Sequence, residues 1–317
     1  MKQALAGLRR YQEWPREPAA APVPALATIR GASLRDYGGA GTPVLFVPSL
    51  INPPNILDLS AERSLLRWLA TQGHRVLLLD WGWPDPGRGA LSVAGHVEQI
   101  LLPLVAAAGE PADLVGYCLG GTMAAAAAQL ASARGLATIA APWHFAGFPD
   151  DARADLATLW AGSRAAAEAL GVLPMEVLQS AFWNLDPART VVKFAAFAAL
   201  EGAEARTFVT LEDWANDGPP LTAAAARELF EDMFAADLPG TGRWIVGGET
   251  IDPGVLDIPV LNIVSTGDRI VPQGSAIRSG TQRALGQGHV GMVVGSRARE
   301  VLWEPLAAWL SRDRPSC

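Results

Sequence analysis

The sequence predicts an α/β protein, with a mostly parallel sheet covered by helices on both faces. Three observations point there. Short β-prone runs at 44–47, 75–79, 113–117, 136–140 and 260–265 are nearly all apolar, so each is expected to be buried on both faces. Helical patterns lie between these runs, the alternation of a parallel sheet. From about Phe145 to Asp257 that rhythm stops in a helix-rich stretch carrying Trp160, Trp183 and Trp214, read as an insertion between the sixth and seventh core strands.

Residues 1–30 are rich in Pro and Ala and read as an arm draped on the surface or partly disordered. After the first apolar run, Ser60-Ala-Glu-Arg opens a helix, because Ser is a good N-cap and Leu65, Leu66 and Leu69 then mark one helical face. Gly73 closes it. Further helices are expected at 93–108, 121–133 and 296–310, with the 124–128 alanine run as helix filler. The expected organisation is an arm at 1–30, a first part of the core at 31–144, a helical lid or cap at 145–257 and a second part of the core at 258–317.

Composition narrows the function. Of 317 residues, 50% are hydrophobic and 18% charged, which excludes a disordered chain. The net charge is −7 and no block of five or six basic residues occurs, so a nucleic-acid footprint is not supported. No apolar run reaches the ~18 residues of a membrane span, and MKQALAGLRRYQEWP has no apolar signal core. The expectation is a soluble cytoplasmic protein. Cys118 and Cys317 cannot build a disulfide framework, and neither has metal-ligand spacing with His74, His96, His144 or His289. No metal or cofactor is expected, and terminal Cys317 is given no role.

Gly116-Tyr-Cys118-Leu-Gly120-Gly121 lies at a strand-to-helix junction and has the form of a nucleophile elbow with Cys in place of Ser. Gly116, Gly120 and Gly121 let strand and helix approach around a strained turn. Cys118 then sits at a helix N-terminus, where the dipole and free N–H groups favour a negative charge. A buried Cys in a glycine-rich turn is the plainer reading of such a motif alone. A nucleophile needs a base and an orienting acid, in the chain order nucleophile, acid, histidine. Asp268 follows the 260–265 strand, and His289 stands in Gly286-Gln-Gly-His289-Val-Gly291 before the last helix. Singly, Asp268 reads as a turn residue and His289 as a loop histidine; order and strand-end placement together point to a triad. His74 is read as structural and His96 as a surface residue on a helix. His144 follows the sixth strand, on the face where sites form.

From about Val44 to Arg299 the chain resembles the polyhydroxyalkanoate synthase family, within the α/β-hydrolase superfamily. The likeness rests on Val47-Pro-Ser-Leu-Ile-Asn52, Asp80-Trp-Gly-Trp-Pro84, Gly116-Tyr-Cys-Leu-Gly-Gly121, Trp214-Ala-Asn-Asp217, Asp268-Arg-Ile-Val-Pro272 and Gly288-His-Val-Gly-Met-Val-Val-Gly-Ser-Arg297. The second segment is closest to the short class III type of catalytic subunit.

The resemblance implies an α/β-hydrolase fold and an acyltransferase. Cys118 would carry the acyl group, His289 act as general base and Asp268 orient it. The backbone N–H groups of Val47 and Leu119 would form the oxyanion hole, with Asn52 and Trp214 as pocket residues; His144 is a pocket candidate by its place after the sixth strand alone. The implied substrates are 3-hydroxyacyl-CoA and a growing polyester, and the implied partners a second copy or a second synthase subunit, at the surface of polyester granules. Three departures stand out: Pro48-Ser49-Leu50 replaces the family's two prolines, the chain before Val44 is short, and His144 stands where a small or acidic residue is expected. The alternatives are a cysteine-dependent hydrolase (thioesterase, esterase or dienelactone-hydrolase-like) and a non-catalytic granule-binding paralogue.

Overall fold

The computed structural model describes residues 1–16 and 22–312. Its eight-stranded sheet comprises β1 (Ala25–Ile29), β2 (Ala32–Asp36), β3 (Pro43–Val47), β4 (Arg75–Asp80), β5 (Ala112–Tyr117), β6 (Ala133–Ile139), β7 (Val260–Ser265) and β8 (Thr281–Leu285). Their spatial order is β1-β2-β4-β3-β5-β6-β7-β8. The pairs β1/β2 and β2/β4 are antiparallel, and every pair from β4 across to β8 is parallel.

Because side chains alternate along a strand, β3 feeds two cores. Leu45 and Val47 join one with Leu77, Leu114 and the helix Leu119–Leu130. Val44 and Phe46 join the other with Leu65, Leu66, Leu69 and Leu306. Both faces of the central strands are thus covered, which is why they are apolar throughout. The 124–128 alanines are more than filler: Ala124 to Ala127 have no exposed surface, and their small side chains let the helix lie close on the sheet.

Three expectations change. Within the stretch expected to be an arm, Lys2–Glu13 and Ala25–Ile29 are regular structure. Lys2–Glu13 is a helix packed against the helix Pro187–Phe197. Gly7 permits that contact, since a Cβ there would lie 1.8 Å from the Phe194 carbonyl oxygen, and Arg10 donates to the Phe197 and Ala198 carbonyls at 2.8 and 3.1 Å. Ala25–Ile29 then enters the sheet through a turn at Arg30 and Gly31, both at positive φ. Its short, half-exposed pattern gives little periodicity to read. Edge strand β8 was likewise invisible, because four of its five residues are exposed and polarity hides the strand pattern. His96, expected at the surface, is buried edge-on against Trp81 with its ring centroid 5.8 Å away.

Between β6 and β7 lie the helices Asp150–Leu170, Met175–Asn184, Pro187–Phe197 and Gly202–Ala215, then a helical segment over 223–235. Two buried carboxylates hold the last part of this insertion, Glu228 by reaching the core and Asp237 by reaching the insertion's own first residue. Glu228 accepts from the Ala94 N–H at 3.0 Å and the Trp244 indole at 2.6 Å. Asp237 accepts from the Phe145 N–H at 2.8 Å. Among the described residues, no helix is long and apolar enough to cross a membrane.

Candidate active site

Cys118 ends the run of β5 and precedes the helix Leu119–Leu130, with φ 56° and ψ −135°. A non-glycine residue in that region is strained and persists only when its surroundings enforce it. Here they do. A Cβ on Gly116 would lie 2.3 Å from Gly121 Cα, one on Gly120 2.1 Å from the Val47 carbonyl oxygen, and one on Gly121 2.2 Å from Ala141 Cβ. The Cys118 N–H donates to the Ile139 carbonyl at 2.9 Å, so strand β6 pins the turn.

The loops after β7 and β8 bring Asp268 and His289 to the same sheet edge. Asp268 Oδ1 accepts from the Ile270 and Val271 N–H groups at 2.7 and 3.0 Å. This aims Oδ2 at His289 Nδ1, 2.6 Å away. The Asp268 side chain has no exposed surface, and among the described residues these N–H groups and the His289 ring are its hydrogen-bond partners. Burial opposes a charged imidazole, but the Cys118 charge, the Asp268 hydrogen bond and a hydrogen bond with Cys118 outweigh it, and the His289 pKa rises to about 10. The structure thus brings Cys118, His289 and Asp268 together in the order a nucleophile, a base and its orienting acid require.

Tyr117, which the sequence reading passed over, completes the arrangement. Its ring stacks on His289 with centroids 5.0 Å apart and planes 29° from parallel. Its hydroxyl donates to the His289 carbonyl at 3.2 Å. The tyrosine adjoins the nucleophile in sequence, but nothing local shows that it faces a histidine so far along the chain.

The loop after β3 is held from below. The Trp81 indole donates to the Pro48 carbonyl at 3.0 Å. Asp80 accepts from the Gly82 N–H at 3.0 Å and pairs with Arg35 at 2.8 Å. Buried Arg88 donates to the Trp81 carbonyl. Burial lowers the His96 pKa to about 4, so a neutral ring packs on Trp81. The Asp80-Trp-Gly motif therefore shapes the wall opposite Cys118 without touching it.

A cavity of about 80 Å³ opens on Cys118 and His289, lined by Ser49, Asn52, Ile56, Phe182, Trp214 and Ile270 among others. Asn52 and Trp214 lie there as expected, and Trp214 is fixed by donating to the Pro53 carbonyl at 2.9 Å. His144 does not line it. Its backbone N–H donates to Ser275 at 2.8 Å, and its half-buried ring meets the Gly240 backbone, with burial and then Arg278 lowering its pKa. The turn after β6 carries it away from Cys118. Val47 is buried and paired with Gly116, and Leu119 is the first residue of its helix, where an N–H has no intrahelical acceptor. Cys317 lies outside the described residues. A larger cavity of about 880 Å³ lies elsewhere; its Arg35, Arg63, Arg67 and Arg206 are balanced by Asp58, Glu62, Asp80 and Glu204, and its lining holds neither cysteine nor histidine.

Comparison with known proteins agrees with this architecture. The poly(3-hydroxyalkanoate) polymerase subunit PhaC of Haloferax mediterranei is 28% identical over 294 residues, which cover 85% of this chain and 58% of that protein. The subunit of the same name from Thiocystis violacea is 27% identical over 291 residues, covering 85% of this chain and 81% of that one. Among solved structures, a thermophilic esterase from Thermogutta terrifontis aligns with a TM-score of 0.57 at 18% identity, covering 89% of this chain and 93% of that one. A monoacylglycerol lipase from Paleococcus ferrophilus aligns at 0.54 and 17%, covering 88% and 98%. At such identities the structures speak for the fold alone. The model of the alpha/beta hydrolase fold family matches residues 42–293, and the chain belongs to that family.

Proposed function

We propose that the protein is an acyltransferase of the polyhydroxyalkanoate synthase type. The observation that carries this reading is a cysteine elbow facing a buried His–Asp pair, in a chain similar over 85% of its length to polymerase subunits. Cys118 Sγ attacks the carbonyl carbon of a 3-hydroxyacyl-CoA, the bond to the CoA sulfur breaks, and CoA leaves with a proton from His289. The acyl group is then a thioester on Cys118. The backbone N–H groups of Leu119 and Val47 are the expected donors to the oxyanion. Transfer between two sulfurs is nearly balanced in energy, so the thioester stays reactive toward an alcohol.

The electrostatics suit the second half of the cycle. Acylation removes the Cys118 charge, the leading cause that raises the His289 pKa, while burial continues to push the ring toward neutrality. The neutral ring then accepts the proton of the acceptor hydroxyl, whose oxygen attacks the thioester and displaces Cys118. Residues 145–257 act in this reading as a lid, supported by Phe182 and Trp214 of the insertion lining the cavity. A lid that keeps water out favours transfer to the polyester over hydrolysis. A second copy or second subunit completes the synthase, and the protein works at the surface of polyester granules.

The test is incubation with 3-hydroxybutyryl-CoA, following CoA release and the acyl product, with Cys118→Ala in parallel. Release with oligomer or polymer, abolished in the variant, supports the reading. Release with only free hydroxy acid makes the protein a thioesterase, and equal activity in the variant refutes the elbow.

A further inference from the structure

The wall of the Cys118 cavity is built mainly from apolar groups: Pro48, Ile51, Ile56, Phe182, Ile270 and Val290 all contribute. Two further lining groups, the Tyr117 hydroxyl and the Trp214 indole, are already spent on the His289 and Pro53 carbonyls. Beyond Cys118 and His289 themselves, the polar side chains that remain are Ser49 and Asn52. Ser49 is buried, and its Oγ accepts from the Ile51 N–H at 3.2 Å, which leaves the hydroxyl proton to donate. Among the described residues, no hydrogen bond engages the Asn52 amide. Both belong to the loop that Trp81 holds against the elbow, so their positions are set by the same contact.

Polar groups in an apolar cavity cost free energy unless a ligand satisfies them. The cavity, at about 80 Å³, is on the scale of a short acyl chain and not of a nucleotide. An acyl group there with a hydroxyl at C3 has the same need as its walls, since that hydroxyl must donate once and accept once when water is excluded. We propose that Ser49 and Asn52 form the binding site for the C3 hydroxyl of the acyl group. The Ser49 hydroxyl donates to the substrate oxygen, and the substrate hydroxyl donates to Asn52 Oδ1. This pair selects 3-hydroxyacyl groups over plain acyl groups, and it rests on the acyl-transfer reading above. A site made to hydrogen-bond a hydroxyl discriminates strongly against the analogue lacking it, because the analogue leaves both protein groups unpaired.

The experiment compares four compounds: 3-hydroxybutyryl-CoA and butyryl-CoA, and the p-nitrophenyl esters of the same two acids. Wild type, Ser49→Ala and Asn52→Ala are each assayed for leaving-group release. Iodoacetamide labelling of Cys118 at the wild-type rate shows that each variant is folded around its nucleophile. Wild type is expected to favour the hydroxy compound of each pair by about tenfold or more in kcat/KM. Each variant is expected to lose most of that preference, the hydroxy compound slowing by several-fold more than the plain one. A preference that survives both substitutions, or none in wild type, overturns the inference. Inert CoA thioesters beside reactive esters would sink the acyl-CoA reading, while the ester pair still decides the role of Ser49 and Asn52. Inertness toward all four overturns both.

Discussion

Substituting Gly120→Ala tests whether the elbow and the loop after β3 form one rigid unit. A Cβ at this position would lie 2.1 Å from the Val47 carbonyl oxygen and 2.5 Å from that of Pro48. Ordinary contact begins at 3.4 Å, so the loop must retreat by about 3.4 − 2.1 = 1.3 Å. Both obstacles are backbone atoms, which cannot swing aside as a side chain would. Overpacking of this kind costs about 1–3 kcal/mol of stability. If Val47 and Leu119 donate to the oxyanion as proposed, displacing those donors by about 1 Å costs on the order of a hundredfold in rate. Iodoacetamide labelling of Cys118, which needs no oxyanion donor, should stay within about threefold of wild type. The assay is CoA release from 3-hydroxybutyryl-CoA beside the labelling rate and the thermal midpoint. Wild-type turnover in the variant would refute the argument that close backbone contact at Gly120 sets the catalytic geometry. Gly162→Ala is the control: it lies inside the helix Asp150–Leu170 with nothing within 4 Å of the new methyl, and should add about 0.5–1 kcal/mol of stability with unchanged activity.

Three more outcomes follow. Tyr117→Leu removes the ring stacked on His289 and should slow turnover about tenfold or more with KM little changed, whereas Tyr117→Phe keeps the ring and should retain most activity; equal losses in the two would disprove the stacking role. Trp81→Phe leaves the Pro48 carbonyl without its indole donor, at a cost of about 1–3 kcal/mol in chemical denaturation, and should lower kcat as the loop loosens. The pH dependence of stability has a defined sign. The folded-state pKa of His289 is about 10, above its ordinary 6.5, so the stability it contributes is complete below 6.5 and is lost as pH rises toward 10. The thermal midpoint should therefore fall across that interval, and fall less in Cys118→Ala, which lacks the leading cause of the raised pKa.

Much of the site was legible because the elbow is a local object. Gly116, Gly120 and Gly121 are required where backbones touch, and a nucleophile between them at a strand-to-helix junction announces itself within a few residues. The acid and the histidine were legible by chain order and by their place after strands. Tyr117 and the supporting role of Trp81 were not, since each acts on a segment distant in sequence. His144 was misjudged for the same reason: following a core strand says which sheet edge a residue reaches, not which way the next turn carries it. Strands β1 and β8 were missed because edge strands are half exposed and lack the apolar signal that buried strands must have.

By itself the sequence determined the class of the fold and the parallel core strands, and it singled out Cys118, Asp268 and His289 as candidates, because burial and tight turns impose residue types locally. Tertiary structure alone decided that His289 stacks on Tyr117, that the N-terminal helix packs on the insertion, and that Ser49 and Asn52 face the cavity beside Cys118. Those are contacts between segments far apart in the chain. No local periodicity encodes them, and they exist only once the sheet has brought its loops to one edge.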